Sequence, residues 1–128
     1  GSTDGGSNYN VAKTTTYFLS RHAEDGSSSE LSYKTGLDLA QSTGFQPLSI
    51  DQINDNDSSV VGYLHLFNPS STTFVKHYIS RTQQMQVDDS MENYSAGYFN
   101  TTSAIDGIRF QYSSGNIDSG DILLFGLN

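Results

Sequence analysis

Apolar and polar positions alternate most clearly near the two ends and the middle of the chain. Residues 14–20 (TTTYFLS) are β-branched and aromatic and predict a strand. VVGYLHLF (60–67) and TTFVKHYISR (72–81) flank Asn68-Pro69-Ser70-Ser71. The proline presets φ for a turn and Asn68 can hydrogen-bond its own backbone, so this stretch predicts an antiparallel hairpin with strands over 60–67 and 73–80. Residues 82–87 are expected to continue or bend the second strand, with VDDSMEN as a surface loop and YSAGYF (94–99) as a further strand. In the tail, Ile108, Phe110 and Tyr112 alternate with Arg109 and Gln111. SSGN and DSG then supply turn chemistry before the apolar run ILLFGL (122–127), so a terminal strand–turn–strand unit is expected that cooperative folding needs.

Between these elements the pattern weakens. Residues 1–10 (GSTDGGSNYN) and 24–30 (EDGSSSE) read as turns. LSYKTGLDLAQSTGF (31–45) is irregular or strand, since Gly36 and Gly44 disfavour a long helix. GFQPLSIDQI (44–53) is a doubtful strand and NDNDSS (54–59) an exposed turn. Six to eight short strands with turn chemistry between them predict an all-β fold, a single antiparallel β-sandwich of jelly-roll type spanning residues 1–128. No internal repeat is visible.

Composition fits that picture. Of 128 residues, 34% are hydrophobic and 16% charged, with seven Phe, eight Tyr and twelve Gly, enough aromatic mass for one core. The formal net charge of −8 repels phosphate backbones and anionic lipid, which argues against nucleic-acid and membrane partners. No stretch approaches the roughly 20 apolar residues of a membrane span. The chain has no cysteine, which excludes disulfides, thiolate metal sites and cysteine nucleophiles. It begins GSTDGG without a methionine, consistent with a cloning scar, a processed end or the interior of a longer chain.

Candidate chemistry is sparse. Asp51, Asp55 and Asp57, with Asn54 and Asn56, supply the oxygen ligands a hard cation requires, but lack the spacing, glycine and terminal glutamate of an EF-hand loop. A solvated turn is the better reading, and Asp88, Asp89 and Glu92 are read in the same way. With a turn centred on 68–71, His65 lies opposite position 74 or 75, so His77 is offset and His22 is distant, and the three are read as strand histidines without a metal. No GxSxG, HExxH, P-loop or GxGxxG occurs. The chain is therefore read as non-enzymatic and cofactor-free. Asn93-Tyr94-Ser95 and Asn100-Thr101-Thr102 match the glycosylation sequon, which so Asn/Ser/Thr-rich a chain produces by chance. Tyr63, Tyr78, Tyr98 and Tyr112 could form a sugar-stacking surface, although packing is the simpler role.

LHLFNPSSTTFVKHYISRTQ, AGYFNTTSAIDGIRFQYSSGNIDSG, the closing ILLFGL and STDGGSNYNVAKTTTYF together resemble a group of short virion-associated proteins of marine tailed bacteriophages, cyanophage- and pelagiphage-like. The resemblance covers most of the chain in blocks that carry no catalytic residues. It implies a jelly-roll-like domain on the exterior of the phage particle, assembled in the bacterial host cytoplasm. The role implied is head decoration, cement or fibre, with a carbohydrate-binding receptor module as the alternative. Members of the group have a further strand ahead of the STDGG turn, so an upstream segment is expected and its absence would open a sheet edge. The implied partners are other copies of the chain, a trimer first, and other virion proteins.

Overall fold

The computed structural model describes residues 1–52 and 55–127. The chain is all-β: five antiparallel strands form one open sheet, with no α-helix among the described residues. The strands are β1 (Lys13–Ala23), β2 (Ser29–Tyr33), β3 (Val60–Leu66), β4 (Lys76–Gln86) and β5 (Asp89–Phe99), in the order β2-β1-β5-β4-β3. β1 and β4 each pair with the whole of β5, from Lys13 and Lys76 opposite Phe99 to Ala23 and Gln86 opposite Asp89. These three eleven-residue strands are the frame on which everything else rests.

Period-two alternation divides the frame into a covered and an open face. Lys13, Thr15, Tyr17, Leu19, Lys76, Tyr78, Ser80, Thr82, Gln84, Met91, Asn93, Ser95 and Phe99 point to the covered side. Among the described residues no second sheet lies over them. The cover is irregular chain: the connection between β2 and β3, the N-terminal turn, and the segment after β5. Buried apolar side chains of this face gather in two clusters. Val11, Tyr78, Phe99 and Ile105 pack with Leu64, Leu66 and Ile108, while Tyr17, Leu19 and Met91 pack with Leu37 and Ile50.

Hydrogen bonds fill the space between the clusters. The Tyr17 hydroxyl donates to Asn93 Oδ1 at 2.7 Å, Asn93 Nδ2 donates to Gln84 Oε1 at 3.1 Å, and Gln84 Nε2 reaches the carbonyl of Ile50. Burial pushes the Tyr17 phenol well above its usual range, which keeps it a donor. Thr82 Oγ1 donates to Leu48 O at 2.7 Å, and Tyr78 and Ser95 share a hydroxyl contact at 3.0 Å. Thr15, Ser80, Thr82, Gln84, Asn93 and Ser95 are tolerated here because each finds a partner, whereas Arg21 Nε, Gln52 Nε2 and Ser58 Oγ are buried without one among the described residues.

The connection after β2 also seals the outer edge of β1. β2 pairs only from Phe18 to His22 of β1. Beyond it, Lys34 N–H donates to Tyr17 O, Thr15 N–H to Leu39 O, and Lys13 and Ser42 exchange two backbone bonds. A short 3-10 turn, Thr35–Leu37, places Asp38 so that its Oδ1 accepts Tyr17 N–H at 2.8 Å and its Oδ2 accepts the Tyr33 hydroxyl. At the N-terminus, Ser2 and the 106–107 backbone exchange bonds at 2.8 and 3.0 Å. Asp4 gathers Ser2 Oγ, Asn8 N–H and Asn8 Nδ2, which hold its carboxyl down to about 2.

Several expectations need correction. Six to eight strands in two sheets give way to five strands in one sheet, because residues 44–52 and 105–112 lie across the sheet without pairing into a second one. Ile53, the end of the doubtful strand, lies outside the described residues. VDDSMEN is not a surface loop: Val87 and Asp88 make the β4–β5 turn and Asp89 to Asn93 are already in β5. Val87 takes φ of 53° there, a left-handed conformation that β-branched residues avoid. The β3–β4 connection is longer than expected and pairs Leu66 with Tyr78 and His65 with Ile79. Lys76 therefore points into the core and defends no edge.

The tail is the largest correction. Residues 108–112 and 121–127 form no strand, and the apolar side chains of 122–127 are exposed. Among the described residues they have no partner strand to pair with. Deleting 121–128 should leave cooperative folding intact and the unfolding free energy of the monomeric domain within about 0.5 kcal/mol, as for other surface changes. A urea titration followed by circular dichroism checks this. By contrast, Gln84→Ala strands the Asn93 amide and the Ile50 carbonyl and should cost about 1–3 kcal/mol by the same titration.

Candidate functional site

The open face carries the side chains that no other part of the described chain covers. Cross-strand pairing builds one row over all five strands: Tyr33, Phe18, Tyr94, Arg81 and Tyr63. Directly paired residues on antiparallel strands share a face, so this row follows from register alone. Phe18 and Tyr94 stack with ring centroids 4.5 Å apart and planes 5° from parallel. The Arg81 guanidinium lies 5.4 Å from the centre of the Tyr94 ring, a cation–π distance.

Glu92, two residues before Tyr94 on the same face, ties the row together. Its Oε1 accepts the Arg81 Nε–H and its Oε2 accepts the Tyr94 hydroxyl. The Arg81 bond, then the Tyr94 bond, hold the Glu92 carboxyl below the usual range, while Glu92 raises both the Tyr94 phenol and the Arg81 guanidinium. The carboxylate is therefore charged and engaged at neutral pH. It is not poised for proton transfer.

Beside this row, Thr14, Thr16, His77, Ile79, Ala96, Gly97 and Tyr98 line a shallow open depression. Gly97 belongs to the covered side, where a Cβ would come within 2.4 Å of Thr14 O, so only glycine allows β1 and β5 to approach this closely. His77 and Tyr98 form its floor with rings 6.1 Å apart, and Tyr63, His65 and Phe67 continue the aromatic surface along β3 at 5.0 and 6.3 Å.

The metal candidates are not drawn together. Asp51, Asp55 and Asp57 are exposed on the β2–β3 connection, and Asp55 Oδ1 accepts the Asn56 N–H. Asn54 lies outside the described residues. Asp88 sits in the β4–β5 turn, Asp89 pairs with Arg21 at 3.5 Å, and Glu92 is committed to Arg81. Glu24, Asp25, Asp88 and Asp89 surround a depression between two turns. Among the described residues no three or more His, Asp or Glu side chains converge as a metal set. His65 and His77 share the open face but are displaced by two residues along the strands, His77 lying opposite Phe67, and His22 lies at the other end.

The tyrosines separate. Tyr78 is core, whereas Tyr63 and Tyr112 are exposed and Tyr98 half-buried. Asn93 of the first sequon is buried in the hydrogen-bonded network, while Asn100 of the second is exposed and donates to Gln41.

Sequence reasoning missed Lys13 and Lys76. They flank Phe99 in the ladder and are almost wholly buried. Lys13 Nζ donates to Val11 O at 3.3 Å and lies 5.8 Å from the Phe99 ring centre, and Lys76 Nζ donates to Thr101 O at 3.2 Å. Burial lowers the Lys13 pKa. Among the described residues neither lysine forms a salt bridge. Strand alternation could have placed both on the inner face, since each is an even number of residues from a buried tyrosine.

Comparison with protein-family models, with curated proteins and with solved structures gave no significant match. Among the described residues no helix is long and apolar enough to cross a membrane.

The Glu92 contacts make a pH prediction. A carboxyl whose folded pKa lies below its unfolded value stabilises the fold above the unfolded pKa and loses that contribution as pH falls through the folded one. Glu92→Gln should therefore flatten the loss of stability as pH falls below the ordinary glutamate range, relative to the intact chain, read as urea midpoints against pH.

Proposed function

We propose that the protein is a non-enzymatic structural component of a tailed-phage virion, a head-decoration, cement or fibre protein on the particle exterior. It works through contacts with copies of itself, a trimer first, and with other virion proteins. The observation that carries this reading is the apolar surface that the single chain leaves uncovered. Phe18, Tyr33, Tyr63, Phe67 and Ile79 stand exposed on the open face, and Ile122, Leu123, Leu124, Phe125 and Leu127 on the tail. Contiguous exposure of this kind marks surfaces meant for another macromolecule.

A sheet covered on one side by loops can complete a sandwich by laying its open face against a second sheet, which would supply the jelly-roll-like layering across an interface. The net charge of −8 disfavours nucleic acid as the partner. The sequence resemblance supports the virion setting, and no catalytic activity is assigned.

Carbohydrate binding is the second reading, because the aromatic row lies beside the Glu92 carboxylate and the exposed Gln83 amide. It ranks lower on geometry. Phe18 and Tyr94 cover one another's ring faces, and Glu92 is already taken by Arg81 and Tyr94. A sugar would have to displace both.

Mass spectrometry and imaging of purified particles test the ranking. Fixed-stoichiometry recovery at the particle exterior, with no glycan-array signal, is the expected result. Absence from particles together with glycan binding that Tyr94→Ala abolishes would reverse it.

A further inference from the structure

The five-stranded sheet has two outer strands, and they are defended unequally. β2 is five residues long, carries Glu30 and is flanked by Lys34, which pairs with Glu30 at 3.0 Å. Charge on a short strand is a usual way to discourage addition. β3 is seven residues long and carries no formal charge, with Val60, Val61 and Tyr63 exposed. Among the described residues its backbone bonds run only to β4, so its outer row of donors and acceptors is open.

The tail offers what that edge lacks. Residues 121–127 read DILLFGL, also seven residues, with one charge at the start. Ile122, Leu123, Leu124, Phe125 and Leu127 are 67, 74, 97, 76 and 89% exposed, so no surface of their own chain covers them. In an extended segment Leu123, Phe125 and Leu127 fall on one face and Ile122 and Leu124 on the other. Apolar residues on both faces are the mark of a strand buried on both sides.

We propose that residues 121–127 of one copy add as a sixth strand to the outer edge of β3 in a neighbouring copy. One face of the added strand would then extend the cluster to which Leu64 and Leu66 belong, and the other would lie beside Val61 and Tyr63. Main-chain bonds supply the affinity of such strand addition and alternate side chains its register. Residues 110–120 are the tether. They include Gly115 at φ 73° and Gly120 at φ 132°, and eleven residues can span roughly 35 Å, enough to reach the next copy. Just before the tether, Arg109 holds the chain to its own domain, with its guanidinium 5.9 and 5.7 Å from the ring centres of Tyr9 and Phe45. This inference rests on the reading of the protein as an assembly component and names the segment and edge that join.

The absence of cysteine makes the test direct. Chains carrying Leu123→Cys, Leu124→Cys or Phe125→Cys are purified separately, each is mixed with Tyr63→Cys chains, and the mixtures are oxidised. A covalent dimer between the two chains is expected, strongest at the tail position whose side chain shares a face with Tyr63. Light scattering should show the intact chain as an oligomer and a Leu124→Asp, Phe125→Asp chain as a monomer that still unfolds cooperatively, with a melting temperature that no longer depends on concentration. A monomeric intact chain, or bonds forming only when both cysteines are on one chain, overturns the proposal. So does an oligomer that survives the double aspartate change, which would leave the structural-component reading standing with a different interface. Strand exchange in solution by a chain missing from purified particles would refute the virion role and leave the exchange intact.

Discussion

The hydrogen-bonded chain from Tyr17 through Asn93 and Gln84 to the Ile50 carbonyl is the constraint on which the fold depends. It joins β1, β5 and β4, the three long strands, and then fastens the loop that covers them. Leu37 and Ile50 hold only part of that loop by apolar contact, since Thr15, Ser80, Thr82, Gln84, Asn93 and Ser95 occupy the centre of the covered face. Each of these side chains loses water on burial and must recover the loss from a partner. The carbonyls of Leu48 and Ile50 are therefore fixed in place by the sheet beneath them. An irregular segment thereby does the work that a second sheet does in a sandwich.

How much of this the sequence made legible depends on where each partner group comes from. The β3 and β4 runs were readable because β-branched and aromatic residues flank Asn68-Pro69. Their register was not, because Asn68 takes φ of 46° and Ser71 Oγ accepts the N–H groups of Thr73 and Phe74, which lengthens the connection past Val75. The β4–β5 turn was invisible for a related reason: Val87 occupies a left-handed position where the turn signal would be Asn or Gly. The tail misled in the opposite direction. Ile108 does pack on the Val11 cluster, but Phe110 and Tyr112 stay exposed, and alternation without a partner strand makes no sheet.

The aromatic row on the open face could be assembled only after pairing was known. Phe18, Tyr33, Tyr63, Arg81 and Tyr94 come from five strands and share no local motif. An alternating pattern says which residues share a face without saying which face is covered. Here the covered face took Tyr17, Leu19, Tyr78, Met91 and Phe99 together with a polar set that hydrogen-bonds the covering loop, while Phe18, Tyr33, Tyr63 and Tyr94 were left on the open face.

That mixture ties the sheet's interior to its exterior. Polar side chains that satisfy the covering loop share the covered face with Tyr17, Leu19, Tyr78, Met91 and Phe99, and further aromatic side chains in the alternate positions face outward. The same chain seals the β1 edge with residues 34–42 and sets charge on β2, yet leaves β3 neutral. One side of the sheet is thus closed by its own chain, and the other is not. Unequal edges give the domain a direction, and directional contacts close only as rings or continue as filaments. A domain built this way has its own folding secured by the network on one face, which leaves the opposite face, the open edge and the tail free to be shaped by what they meet.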